Sequence, residues 1–414
     1  MNTAPIIDLI TIGDELLLGL TRNGHLTYLG EQLAFRGAAP NRNIVCRDEA
    51  GEIRRNFELA WRESEIVITT GGLGPTSDDR TRDIIAEVLG LELLYSQEVE
   101  DAIRERFRSF NSTMGVNNKK QAFYPAGADI IMNAQGTAPG LWLEKDGKLL
   151  IMLPGPPREL NPMFENQILP RLSAEGRLVD IAQIISFQTS GIGESSLELE
   201  LDPILNPHKD INVAFCAHYG TVDVRLSSIS GETSLADVQE LAAQCIEKLD
   251  HHFLTHGIRG ITPVVLDQLR DAGQTVAVAE SCTGGMVGAA FTAIAGSSDV
   301  FQGGIITYTN QAKSELLGVP SELLEAYGAV SEQVAVAMAE GAREKLHSTW
   351  AISTTGVAGP GGGTPEKPVG MVFVGIAGPG VAFAKQLDLR GNRGIVRERT
   401  VNVALDILRR QLLK

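Results

Sequence analysis

Three short stretches, Ile6–Ile12, Ile66–Thr70 and Leu149–Leu153, are almost entirely apolar. They lack the in-out alternation of a half-exposed strand. Such a run is buried on both faces, which in a chain of this length means a parallel strand covered by helices on either side. Helix-length segments, Gly51–Glu63 and Glu98–Phe110, lie between them. Each run ends in a distinctive loop: Gly13-Asp14-Glu15, then GGLGPTSDD at 71–79, then PGPP at 154–157. Ligands of open α/β sheets bind at the carboxyl ends of the strands. Three marked loops at three strand ends therefore predict one shared crevice.

The same style returns near the end of the chain. Thr275–Ala279 runs into ESCTGG, Gly304–Tyr308 into TNQAK, and Ala351–Thr354 into GVAGPGGGTPEKPVG; Met371–Ile376 is a further strand. Val401, Leu405, Leu408 and Leu412 form an apolar stripe on a closing helix. The middle is different: strands over Ile181–Thr189, Asn212–Ala217 and Thr221–Ser230, then an amphipathic helix Leu235–Leu249. With 414 residues and roughly 150 per domain, the expectation is two α/β domains, 1–170 and 257–414, joined by a small α+β module at 171–256.

Composition removes several function classes. Lys+Arg 36 against Asp+Glu 51 leaves a net charge of −15, the wrong sign for binding nucleic acid through phosphate neutralisation. Over 171–255, five basic against thirteen acidic residues give −8, and Ser190-Gly191-Ile192-Gly193 lacks the Gly-x-x-Gly clamp of RNA-binding KH modules. A structural or dimer-forming role is expected there. Four cysteines without a Cys-x-x-Cys argue against a disulfide scaffold or a structural zinc site. His252 and His256, four apart, lack the glutamate of a metal motif. No basic leader and no run of ~18 apolar residues is present, so a cytoplasmic protein without a membrane span is expected.

Ala279-Glu280-Ser281-Cys282-Thr283-Gly284-Gly285 ends a strand and opens a helix. A serine there stands over free N–H groups suited to an oxyanion. It needs a base, and no Gly-x-Ser-x-Gly elbow exists. Lys313, early in the helix after Tyr308-Thr309-Asn310, is the best candidate, because a desolvated lysine near a helix N-terminus loses its proton readily. Tyr308 could relay a proton or hold it. The plainer alternative is that Ser281 and Thr283 cap the helix and Lys313 is solvated. Cys282 is the rival nucleophile. The loop 356–370 could wrap a phosphate but lacks the Gly-Lys-Ser/Thr ending of a P-loop, and Arg393 could clamp an anion.

AESCTGG, TYTNQAKSELLGV, GAVSE at 328–332 and TTGVAGPGGGTPEKPVG together resemble the CinA C-terminal domain. That domain is similar to nicotinamide-nucleotide amidases, which convert nicotinamide mononucleotide to nicotinate mononucleotide and ammonia. The resemblance covers about 257–414. It implies Ser281 as nucleophile, Lys313 as its base and Tyr308 as a supporting catalytic residue. Thr283, Gly284, Gly285, Asn310, Gly356, Gly359, Gly361 and Arg393 would bind substrate, and no metal is required. Asn392 replaces an aspartate of the family's Gly-Asp-Arg segment.

In the N-terminal part, Gly71, Gly72, Gly74 and Thr76 form a glycine-rich loop suited to phosphate. Asp78 and Asp79 follow it, and Asp14 and Glu15 end another strand. Carboxylates beside phosphate oxygens commonly hold a divalent cation; the plainer alternative is that Thr76, Ser77 and Asp78 cap a helix. Lys119 and Lys120 could bind anions. TIGDELLLG, TTGGLGPTSDDRTRD, NKKQAFYP, GTAPG and LPGPPREL resemble the CinA N-terminal domain, similar to molybdopterin-binding proteins of the MogA/MoeA type. The resemblance implies metal-dependent (Mg, Mn or Co) cleavage of ADP-ribose to AMP and ribose 5-phosphate. Asp14, Glu15, Asp78 and Asp79 are the metal candidates, and Gly71, Gly72, Gly74, Thr76 and Lys119 the nucleotide contacts. The middle resembles the KH-like linker of full-length CinA proteins. The whole then reads as a homodimeric, bifunctional pyridine-nucleotide salvage enzyme. The alternatives are a competence- or DNA-damage-associated scaffold with vestigial sites, and a molybdopterin-type binder.

Overall fold

The computed structural model describes residues 5–34, 36–178, 184–228 and 233–414. The expected strand positions 181–183 and 229–230 lie outside the described residues. Two compact units, 1–182 and 183–414, divide the chain.

In the first unit, β1 (Ile7–Ile12), β2 (Pro40–Cys46) and β3 (Ile66–Thr70) are followed by the small antiparallel pair β4 (Leu93–Tyr95) and β5 (Phe123–Pro125). Then come β6 (Ala128–Ile131), β7 (Gly140–Lys145) and β8 (Lys148–Leu153). The main sheet has the order β2-β1-β3-β8-β7-β6, its first four strands parallel. Successive residues of a strand point to opposite faces, and the core divides accordingly. Ile7, Leu9, Ile66, Ile68, Leu149, Ile151 and Leu153 pack under the helices His25–Ala34 and Pro157–Met163. Ile10, Ile12, Val67, Leu150 and Met152 pack with Phe57 and Ile85 from the helices Ala50–Glu63 and Thr81–Val88. Both faces are dry, which is why the sequence shows apolar runs. The register aligns the ends: Ile12 opposite Cys46, Thr11 opposite Thr70, Thr70 opposite Leu153. Four loops therefore leave the sheet at one level.

The second unit holds two sheets. β9 (Ile184–Ser190), β10 (Ile211–Ala217), β11 (Thr221–Ser228) and β12 (Phe253–His256) form an antiparallel sheet in the order β10-β11-β9-β12. The helices Glu194–Leu205 and Leu235–Leu249 cover one of its faces. β13 (Val276–Glu280), β14 (Phe301–Ile306), β15 (Trp350–Gly356), β16 (Met371–Gly378) and β17 (Val381–Asp388) follow in the order β14-β13-β15-β16-β17. β14, β13 and β15 are parallel, and the last two strands antiparallel. Val276, Val278 and Ile352 meet the helices Ile261–Asp271 and Arg393–Leu412 on one face; Ala277, Ala279 and Ala351 meet Glu332–Lys345 on the other.

One strand is displaced from the sequence expectation. β14 occupies 301–306, and Tyr308 lies outside it. Its only neighbour among the described residues, β13, ends at Glu280 opposite Ile306, so the ladder stops there, and an edge strand does not need the apolar continuity used to locate it.

Candidate active sites

Ser281 follows β13 and is 9% exposed; its N–H donates to the Thr354 carbonyl at 2.9 Å. Thr309 caps the helix Asn310–Leu317, its Oγ1 accepting from Ala312 N at 3.1 Å. This turns Lys313 inward, where it is 1% exposed. Its Nζ lies 3.1 Å from Ser281 Oγ and 2.8 Å from the Thr307 carbonyl oxygen. Burial lowers the lysine pKa from its ordinary 10.5, and among the described residues no carboxylate pairs with it. An amine in that setting is a base and a poor cation. Cys282 is also buried, and burial pushes its thiol up to about 11, which keeps it protonated and a weak nucleophile.

Glu280, unassigned from the sequence, organises the loop. Its Oε2 accepts from Gly285 N at 2.9 Å and Val287 N at 3.1 Å, and its Oε1 from Gly288 N at 2.8 Å. The free N–H groups expected for an oxyanion or phosphate at this helix start are therefore occupied by a buried carboxylate. The helix is capped by Glu280, and neither Ser281 nor Thr283 accepts a cap bond there. Thr283 is fully buried with Oγ1 2.6 Å from Thr354 Oγ1. Gly284 and Gly285 take positive φ, 59° and 94°, to carry the chain round the turn.

Tyr308 is 60% exposed, and its hydroxyl accepts from Arg393 Nη2 at 2.9 Å, whereas the Lys313 amine bonds Ser281 and the Thr307 carbonyl. Arg393 Nη1 also donates to the Gly359 carbonyl at 3.0 Å, so Tyr308, Gly359 and Arg393 meet. One turn further on, Arg397, also missed, donates to the Thr283 carbonyl at 2.6 Å, and its buried Nε has no partner among the described residues. Asn310 and Gly361 are exposed. Gly356 is dictated by packing, since a Cβ there would sit 2.7 Å from the Met371 carbonyl.

In the first unit the four aligned loops enclose a cleft of about 430 Å³, lined by Gly13, Glu15, Gly71, Gly72, Gly74, Asp78, Asp79 and the segment Pro154–Pro157. The predicted shared crevice is present. Gly71 and Gly72 have φ of 96° and 67°, and a Cβ would meet the Ile12 carbonyl at 2.1 Å and Thr81 Oγ1 at 1.9 Å, so these glycines serve the loop's own geometry. Thr76 N donates to Asp79 Oδ2 at 2.8 Å, and the Thr76 hydroxyl bonds the same oxygen. Lys120, through the Thr76 carbonyl at 3.1 Å, pins this turn. Lys119 departs from its expected role: it does not line the cleft and lies 3.7 Å from Glu100.

The proposed metal carboxylates are only partly assembled. Asp14 faces Asp48 across two loops, each N–H donating to the other's carboxylate, at 3.1 and 3.4 Å. Among the described residues, no three of Asp14, Glu15, Asp78 and Asp79 bring oxygens within 4.8 Å of one another. Asp48, from the loop after β2, was missed because that edge strand (PNRNIVC) carries no apolar run. Burial, then the charges of Asp14, Glu15 and Asp78, raise its carboxyl pKa. Glu159, held by Asn133 Nδ2 at 2.8 Å, and His25, kept low in pKa by burial and 2.8 Å from Thr70 Oγ1, complete the lining. His252 and His256 do not share a site: His252 Nδ1 faces the Ser190 carbonyl at 3.0 Å, while His256 packs on Phe253.

No helix among the described residues is long and apolar enough to cross a membrane. Residues 259–412 match the family model "CinA C-terminal domain", and 8–174 match "Probable molybdopterin binding domain". A "CinA-like protein" of Gemmatimonas aurantiaca is 40% identical over 412 residues, covering 98% of this chain and 96% of that one. Another, from Kosmotoga olearia, is 38% identical over 408 residues, covering 98% of both. A solved structure, the competence/damage inducible protein CihA from Agrobacterium tumefaciens, is 40% identical, with 37% of this chain and 94% of that chain covered, at a TM-score of 0.36. With relatives matched from end to end at this identity, the chain belongs to the CinA family.

Proposed function

We propose that the chain is a bifunctional hydrolase of pyridine nucleotides and their relatives. The observation that carries the reading is the buried Lys313 amine 3.1 Å from Ser281 Oγ, with no carboxylate among the described residues to hold it charged. In this reading Ser281 Oγ attacks the carboxamide carbon of nicotinamide mononucleotide while Lys313 takes its proton. The proton returns to the nitrogen as the C–N bond breaks and ammonia leaves. Water then attacks the acyl carbon with Lys313 again as base, freeing nicotinate mononucleotide and Ser281. Glu280 fixes the loop that carries Ser281. Arg393 and the unsatisfied Nε of Arg397 supply positive charge for the substrate phosphate beside this loop. Tyr308, held by Arg393, serves substrate positioning at the rim. The test is ammonia release by the purified protein: Ser281→Ala abolishes it, a loss of at least about a thousandfold, while Cys282→Ala largely retains it. The reverse pattern moves the nucleophile to Cys282.

The cleft of the first unit supports a second activity, cleavage of ADP-ribose-type pyrophosphates, here ADP-ribose to AMP and ribose 5-phosphate. Its carboxylates fit a divalent cation of the Mg, Mn or Co kind: burial, and after it the like charges of Asp14, Glu15 and Asp78, raise the Asp48 pKa, and such an ion would offset those charges. Glu15, Asp48 and Asp78, whose oxygens do not lie within 4.8 Å of one another, would have to draw together to hold the ion; when bound, it would neutralise pyrophosphate charge. The glycine loop admits the phosphates, and Asp79 keeps that loop closed on itself through Thr76. The match over 8–174 favours a second reading, a molybdopterin-type binder without hydrolysis. Production of AMP from ADP-ribose by the intact protein distinguishes the two.

A further inference from the structure

We infer that the antiparallel sheet of the second unit carries a thiophilic divalent-cation site, of the zinc class, formed by Cys216, His218 and Asp223. The hairpin puts these residues together. Cys216 and Asp223 are direct cross-strand partners on β10 and β11, and His218, just past the end of β10, donates its N–H to the Thr221 carbonyl at 2.8 Å, which keeps it beside Asp223. One donor atom from each lies within 4.8 Å of the others, the only such trio among the described residues. His218 Nε2 is 2.9 Å from Asp223 Oδ2. Tetrahedral zinc bonds of roughly 2.0–2.3 Å place ligand atoms roughly 3.3–3.6 Å apart, so small side-chain rotations would admit an ion.

The donors are also supported from behind. Asp223 is 3% exposed, and its second oxygen accepts from Gln188 Nε2 at 2.6 Å. Gln188 is the cross-strand partner of Asp223 on β9, and its Oε1 accepts from Gly260 N at 2.9 Å. A ligating carboxylate oriented by a buried amide is the outer-shell arrangement of metal sites. Cys216 and His218 are exposed, so an ion has a way in and a fourth position is left for water. The donor set, one thiolate, one imidazole and one carboxylate, neutralises a dication and selects zinc over magnesium or calcium.

The experiment uses the full chain with Co²⁺ as probe, under a non-thiol reductant. The expected result is a thiolate-to-cobalt charge-transfer band that zinc displaces. Elemental analysis after zinc loading should show one more bound ion in the wild type than in Cys216→Ser. His218→Ala should weaken cobalt binding at least tenfold, and Cys216→Ser should leave ammonia release unchanged. A missing band, a band that survives Cys216→Ser, or equal zinc content in the two proteins overturns the proposal and leaves a His–Asp contact beside a free thiol.

Discussion

Lys313 concentrates the conflict between stability and chemistry in one side chain. Its amine is buried against one hydroxyl and one carbonyl oxygen, and the lowered pKa records the desolvation. Lys313→Met should reduce ammonia release by about a hundredfold or more and yet raise stability by about 1 kcal/mol at pH 7. The unfolded chain holds this proton more readily than the folded one, so the penalty operates below the ordinary 10.5 and vanishes as pH rises through it. The stabilisation by Lys313→Met should shrink over the same range, as followed by denaturant melts. Ammonia release by the wild type should rise with pH along a limb lying below 10.5. A variant that loses activity and stability together would make Lys313 a packing residue. Ser281 and Lys313 were legible in the sequence because each closely follows a strand end. Glu280, Asp48 and Arg397 were not: their roles depend on which N–H groups, loops and carbonyls the fold brings to them, and no spacing encodes that.

At the scale of elements, the central parallel strands announced themselves, whereas the edge strands β2 and β17 did not. β2, half-buried along most of its length, and β17, exposed at many positions, carry no periodic signal, and β14 was shifted for the same reason. The β2 omission mattered, because the loop after it delivers Asp48 to the cleft. The turn after β13 is held by three bonds to one carboxylate. Glu280→Gln keeps the shape but replaces one acceptor oxygen with a donor facing N–H groups. It should cost about 2 kcal/mol in a chemical melt and reduce kcat for ammonia release more than it raises KM, because the nucleophile is misplaced while Arg393 and Arg397 are untouched. A variant with altered KM alone would move Glu280 from positioning to substrate binding.

In the molecule as a whole, the antiparallel sheet and the last helix are joined by a buried polar seam that composition could not foretell. Asp406 accepts from Arg409 Nε at 2.9 Å, from Arg410 Nε at 2.7 Å and from the Ser190 hydroxyl, while Arg409 reaches the His251 carbonyl at 2.7 Å. Burial opposes the charge of Asp406, but Ser190 and the two arginines outweigh it and lower its pKa. A depressed carboxylate stabilises above its unfolded pKa and loses that contribution as pH falls through the folded value. Asp406→Asn strands Arg409, which is 2% exposed. It should cost about 3 kcal/mol at pH 7, a difference that closes below the ordinary 3.8. The two proposed activities offer a separate test of division between the units. Among the described residues the Ser281–Lys313 pair has no carboxylate partner, whereas the cleft of the first unit is lined by Glu15, Asp48, Asp78, Asp79 and Glu159. A chelator should therefore stop AMP formation from ADP-ribose and leave ammonia release within about twofold, since only the first site depends on a cation to offset its charge. Added magnesium or manganese should restore AMP formation in Cys216→Ser as fully as in the wild type, separating that dependence from any ion on the β10–β11 hairpin. Parallel loss of both activities would mean that one site, or one shared structural ion, serves both.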